Sequence, residues 1–67
     1  MEGFKLQNKI KEFRKQQQMK QVCLARKVGV FQSEISEIET GVRKPNIYLA
    51  RKIANALGKS VDEIFLS

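Results

Sequence analysis

Three glycines set the frame of this chain. Gly29, Gly41 and Gly58 each follow a run in which apolar residues recur every three or four positions. Glycine adopts the left-handed backbone that closes a helix, so each run reads as a helix cut short. Few segments alternate with period two, which argues against strands. A chain interrupted this often must gain its stability by packing short helices on one another. With 67 residues, one small domain spanning 1–67 is expected. A domain of that size buries only ~60% of its unfolded surface. Other staples are lacking. Cys23 is the single cysteine and there is no histidine, so neither an intramolecular disulfide nor a metal site is expected. Tight helix packing or oligomerisation remains.

The spacing predicts an all-α fold of five helices. The first runs from about Leu6 to Gln17, with Leu6, Ile10 and Phe13 on one stripe. The second runs from Gln21 to Val28, with Leu24, Ala25 and Val28 inward. The third runs from Gln32 to Glu39, with Ile35 and Ile38 inward. Pro45-Asn46 opens the fourth, with Asn46 as N-cap. Its apolar face is Leu49, Ala50, Ile53, Ala54 and Leu57. Ser60-Val61-Asp62-Glu63 opens the fifth as a capping box, followed by Ile64, Phe65 and Leu66.

Composition narrows the partner. Thirteen Lys and Arg face seven Asp and Glu, a net charge of +6, which suits a polyanion. No apolar run resembles a signal peptide or approaches the ~20 residues that span a bilayer. A soluble, cytoplasmic protein without a membrane partner is expected, and its lone thiol fits a reducing compartment. Catalysis is not expected, because Cys23 has no base partner and the acids do not converge. No cofactor is implied.

The informative stretch is Gln21 to Gly41. Ala25 is small where two helices cross closely. Gly29 makes the tight turn, and Val30 tucks beneath it. Ile35 and Ile38 anchor the next helix and leave Gln32, Ser33, Ser36 and Glu37 outward. A helix held proud of the body in this way fits the major groove.

With these residues in place, the chain resembles the Cro and phage-repressor type (XRE) helix-turn-helix family. The pattern Gln-x-x-Leu-Ala-x-x-x-Gly-Val-x-x-x-x-Ile-Ser-x-Ile-Glu-x-Gly is matched from Gln21 to Gly41. It continues through Lys44-Pro45-Asn46, the Leu49 to Ala54 run, Leu57-Gly58 and Val61 to Phe65. The resemblance implies a compact five-helix, lambda-repressor-like domain. It implies a bacterial transcriptional regulator, a repressor by preference, that binds a two-fold symmetric operator as a homodimer and sits with the nucleoid. The chain departs from the pattern at several points. Lys20 and Phe31 stand where Ser or Thr usually caps the second and third helices, a loss of about 1 kcal/mol each. Gln18 stands where Gly usually ends the first helix. Val22 and Cys23 replace polar residues, which suggests added apolar contact there.

Site residues follow from chemistry and from the resemblance. Gln32 can bond adenine bidentately, and Ser33 and Ser36 suit either base type. Glu37 either accepts from cytosine N4 or pairs with a nearby Lys. Phe31 either touches a thymine methyl or covers the turn, the second being preferred. The resemblance assigns Gln21 to a phosphate and to bracing Gln32, with Lys20 beside it. It places Arg43 and Lys44 in the loop that grips the DNA backbone, with amides near Asn46 adding to that grip. It also pairs Arg14 with Glu39 to orient the third helix. Ile64, Phe65 and Leu66 are the expected dimer interface. Two alternatives share the fold: an antitoxin-type protein that binds a partner toxin, and a protein-interaction adaptor.

Overall fold

The computed structural model describes residues 8–65. Five helices lie within them: α1 Ile10–Gln16, α2 Gln21–Val28, α3 Gln32–Glu39, α4 Ile47–Leu57 and α5 Val61–Phe65. There is no strand among the described residues. The bounds of α2 and α3 are those the apolar spacing predicts.

The first helix starts later than predicted. Leu6 lies outside the described residues, and α1 opens at Ile10. The cause is a set of bonds to distant parts of the chain. The Lys9 amide donates to the Ile64 carbonyl at 2.9 Å. Asn8 Oδ1 accepts from the Ile10 amide at 3.2 Å, and its Nδ2 donates to the Ile38 carbonyl at 2.8 Å. Asn8 therefore bonds the first amide of α1 and also a carbonyl near the end of α3, tying the two helices together.

Ile10, Leu24, Ile35, Ile38, Ile53, Leu57 and Ile64 form the fully buried centre, with Ala25, Val28 and Ala54 between them. Each such aliphatic contributes roughly 1.5–3 kcal/mol through burial. Phe13, Val30, Leu49, Val61 and Phe65 pack around that centre, half-buried. α2 packs on α3 and α4, and α4 carries α5.

Ile64 corrects one expectation. It has no exposed surface, so it belongs to the monomer's core and cannot also face a second copy. Phe65 is half-buried against the same core, and Leu66 lies outside the described residues. The apolar spacing identified an inward face but not what that face meets.

The caps explain where helices begin and stop. At the α2–α3 turn Gly29 has φ +87°, and the amides of Gly29 and Val30 both donate to the Ala25 carbonyl, at 2.8 and 3.0 Å. A Cβ there would meet nothing within 4 Å, so the turn requires glycine's backbone rather than its small size. Asn46 Oδ1 accepts from the Leu49 amide at 2.8 Å and caps α4. Ser60 and Glu63 form the reciprocal box expected at α5: Ser60 N to Glu63 Oε1 at 2.8 Å, and Glu63 N to Ser60 Oγ at 3.1 Å. The Ser60 amide, then its hydroxyl, holds the Glu63 carboxyl below its usual range.

Candidate nucleic-acid interface

α3 is fixed by its inner face and open on its outer one. Ile35 and Ile38 are fully buried, while Gln32 and Ser33 at its start are exposed, and Ser36 and Glu37 are half-exposed. The start of α2 lies beside the start of α3, because Gln32 Nε2 donates to Gln21 Oε1 at 3.3 Å. Lys20 and Ser33 flank these two glutamines and are exposed. Amides at the opening turns of both helices are unpaired within their helices, a setting that favours anions.

Neither helix start has a side-chain cap. Lys20 and Phe31 cannot supply one. At α3 the loss is partly made up, because Glu34 Oε1 reaches back to accept from the Phe31 amide at 3.3 Å. Phe31 itself stands 79% exposed and does not cover the turn, contrary to the preferred reading of the sequence. Val30 occupies that inner place instead. Val22 and Cys23 are likewise exposed, so helix α2 gains no added apolar contact through them.

A chain of polar contacts runs from the core to the exposed face of α3. Arg14 Nε donates to Glu39 Oε2 at 2.7 Å, with side chains only 9% and 4% exposed. Arg14 Nη2 reaches Glu39 Oε1 at 3.3 Å, and Nη1 donates to the Met19 carbonyl at 2.7 Å. Gln21 Nε2 donates to Glu39 Oε1 at 3.0 Å. Gln21 thus holds Glu39 with its amide and Gln32 with its carbonyl. An exposed glutamine on α3 is thus linked, through Glu39 and Gln21, to an arginine on α1. The fork geometry of the guanidinium lets one side chain serve a carboxylate and a carbonyl together.

At the other end of α3, Arg43 Nε donates to Glu37 Oε1 at 2.8 Å, with side chains 50% and 43% exposed. The bond to Glu37, and then its charge, raises the Arg43 guanidinium above its already high value. The partner of Glu37 is therefore an arginine from the loop, not a lysine. Lys44 and Asn46, further along that loop, are exposed. Asn46 has its Oδ1 committed to the α4 cap.

The three acids on α3 are all engaged inside the chain. Glu34 accepts from the Phe31 amide, Glu37 from Arg43, and Glu39 from Arg14 and Gln21. Their negative charge therefore meets internal donors. Lys27 of α2 and Lys52, Asn55 and Ala56 of α4 line an open cleft.

Sequence reasoning overlooked Asn8 and Thr40. Asn8 ties the segment before α1 to Ile38, and Thr40 Oγ1 donates to the Glu37 carbonyl at 3.2 Å. A short polar residue just outside a helix was the available signal in both cases.

The sequence model of the helix-turn-helix family matches residues 10–64. An uncharacterised HTH-type transcriptional regulator of the archaeon Methanocaldococcus jannaschii is 38% identical over 61 residues, covering 91% of this chain and 92% of its own length. Among solved structures, the restriction-modification controller protein C.AhdI from Aeromonas hydrophila superposes with a TM-score of 0.78 at 27% identity. That match covers 82% of this chain and 83% of the controller. A chain of the SinR/SinI protein complex matches with a TM-score of 0.75 at 34% identity. There 81% of this chain is covered, and about half (53%) of the other. With an archaeal relative in the set, similarity does not tie the chain to bacteria.

Proposed function

The chain belongs to the helix-turn-helix family of DNA-binding transcriptional regulators, and we propose that it is a sequence-specific repressor that reads double-stranded DNA through α3 as a homodimer. The observation that carries this reading is the placement of Gln32 and Ser33. They are exposed at the first turn of a helix whose inner residues are fully buried, and Gln32 is held by Gln21. A glutamine so held can present its amide to adenine N6 and N7 without first losing its own freedom.

In this reading Gln32, Ser33, Ser36 and Glu37 meet base edges. Lys20, Gln21, Arg43, Lys44 and the amides after Asn46 meet phosphates, which supply most of the affinity. One helix sees few base pairs, so two copies reading half-sites ~34 Å apart are expected. Ile64 being spent in the core, the dimer surface is assigned to Phe65 and Leu66 at the carboxyl-terminal end. Among the described residues no helix is long and apolar enough to cross a membrane.

Selection of bound sites from random DNA tests the whole reading. A two-fold symmetric motif is expected, and Gln32→Ala should relax one or two positions within each half, at about 1–3 kcal/mol per lost base contact. A pool that shows no enrichment would overturn it. A second reading, a regulator that works through a partner protein, draws on the match to a chain of the SinR/SinI complex and on the exposed Val42, Ile47 and Tyr48. Sedimentation of the purified chain separates the two, since the homodimer requires self-association at micromolar concentration or on DNA.

A further inference from the structure

We infer that the Glu37–Arg43 pair is an internal counter-ion that holds back binding to DNA of the wrong sequence, which makes Glu37 a specificity-determining residue. The inference rests on the DNA reading proposed above. Its basis is the way the loop after α3 is built. The Glu37 carbonyl accepts from the amides of Val42 and Arg43, at 2.9 and 3.1 Å, and from Thr40 Oγ1. Those bonds fold the loop back onto the helix end before DNA is present. They deliver Arg43 to the carboxylate of the same residue, where Nε and Oε1 meet at 2.8 Å.

The consequence is electrostatic. A free guanidinium set against a phosphate releases a condensed counter-ion, and that release drives non-specific binding. A guanidinium already neutralised by a carboxylate gains far less. Both side chains are about half exposed, and pairs of that kind are weak and exchangeable. Exchange needs a replacement donor for Glu37. In the major groove the exocyclic amino groups of cytosine and adenine are such donors, whereas guanine O6 and thymine O4 are not. At a site offering a donor, Glu37 moves to the base and Arg43 is released to a phosphate. At a site without one, the pair stays closed, or an unpaired carboxylate is left near phosphates.

The other acids on α3 cannot act in this way. Glu39 is buried between Arg14 and Gln21, and Glu34 serves the amide that begins the helix. Glu37 alone of the three holds an exposed cation.

The experiment measures binding to a random-sequence duplex across a salt series for the unaltered chain, Glu37→Gln, Arg43→Ala and the double variant. Glu37→Gln keeps the shape and the carbonyl bonds of the loop, and a thermal melt of each variant confirms folding. Glu37→Gln should bind the random duplex about threefold tighter, the scale of a released surface pair. Its log–log salt slope should steepen by ~0.9, one phosphate contact. In the Arg43→Ala background the same substitution should leave the salt slope unchanged, because removing the carboxylate there releases no cation to a phosphate. A slope that steepens there by as much would show that loss of a negative charge near phosphates is the whole effect, and would overturn the inference. No gain in Glu37→Gln, with the unaltered chain binding normally, would overturn it too. If the unaltered chain shows no salt-dependent binding to any duplex, it is the DNA reading itself that fails.

Discussion

The two ion pairs of α3 are alike in chemistry and opposite in setting. Arg14–Glu39 and Arg43–Glu37 have the same residue types and nearly the same length, 2.7 and 2.8 Å. The first is almost wholly buried, and its arginine also holds the Met19 carbonyl. The second lies half in water with one direct contact among the side chains. Distance alone would rate them equal. Solvent decides otherwise: a buried pair leaves a costly charge behind when one partner goes, whereas an exposed one is replaced by water. One pair therefore builds α3 into the fold, and the other is free to exchange its partner.

The largest break comes from Arg14→Ala. It strands the Glu39 carboxylate with Gln21 as its remaining donor, and frees the Met19 carbonyl as well. A loss of about 3 kcal/mol is expected, with a fall in melting temperature of roughly 10–25 °C for a domain of this size. Operator affinity should fall alongside, because Gln21 and Gln32 lose their anchor. Arg14→Met with Glu39→Leu should cost less than either charge deletion alone, since no buried charge is then left unpaired. Thermal melts of the three variants check the order. Equal stability of Arg14→Ala and the unaltered chain would remove the distinction between the pairs.

Much of this is legible in the sequence. Gly29 and the spacing of Leu24, Ile35 and Ile38 place α2 and α3 to the residue, because a helix, a turn and a helix are local events. The Asn46 cap and the Ser60–Glu63 box are local as well. Features that depend on distant partners were not legible in that way. The start of α1 is set by Lys9 bonding Ile64 and by Asn8 bonding Ile38, which no periodicity encodes. Ile64 has the same apolar character whether it fills a core or a dimer seam, and only the packed structure shows the core. Phe31, Val22 and Cys23 invited burial by their side chains, yet Phe31, just before α3, and the other two, on α2, are exposed. Spacing marked Glu37 as outward too, but its partner lies beyond the helix in the following loop. The Arg14–Glu39 pair came from family resemblance, not from the residues read alone.

A smaller effect is expected at Gln18, which sets the surroundings of the buried pair. It has φ +55°, a left-handed backbone, and the amide of the next residue, Met19, donates to the Arg14 carbonyl at 2.9 Å. That turn aims the Met19 carbonyl at Arg14 Nη1. A residue with a Cβ is strained there by roughly 1–2 kcal/mol. Gln18→Gly removes the strain but gives the unfolded chain more freedom, which takes back about 0.5–1 kcal/mol. A net gain of about 0.5–1 kcal/mol, a few degrees in melting temperature, is the expected result. Since the turn and the pair share Met19, the penalty of Arg14→Ala should be undiminished in the Gln18→Gly background. A penalty that shrinks there would mean that the arginine mainly compensates for the strained turn.

The smallest effect on stability belongs to the exposed pair, and salt is what exposes its nature. Arg43→Ala leaves Glu37 half in water, with its backbone carbonyl still able to accept from the loop amides. The pair contributes little, and less as screening grows. A shift of a few degrees in dilute buffer should fade toward zero at high ionic strength. The Arg14→Ala deficit should persist under the same conditions, because salt does not reach a pair whose side chains are 9% and 4% exposed. Melting curves for both variants over one salt series therefore compare the pairs directly. If the Arg43→Ala deficit proved as insensitive to salt as that of Arg14→Ala, the loop arginine would be structural, and its exchange onto phosphate would lose its physical basis.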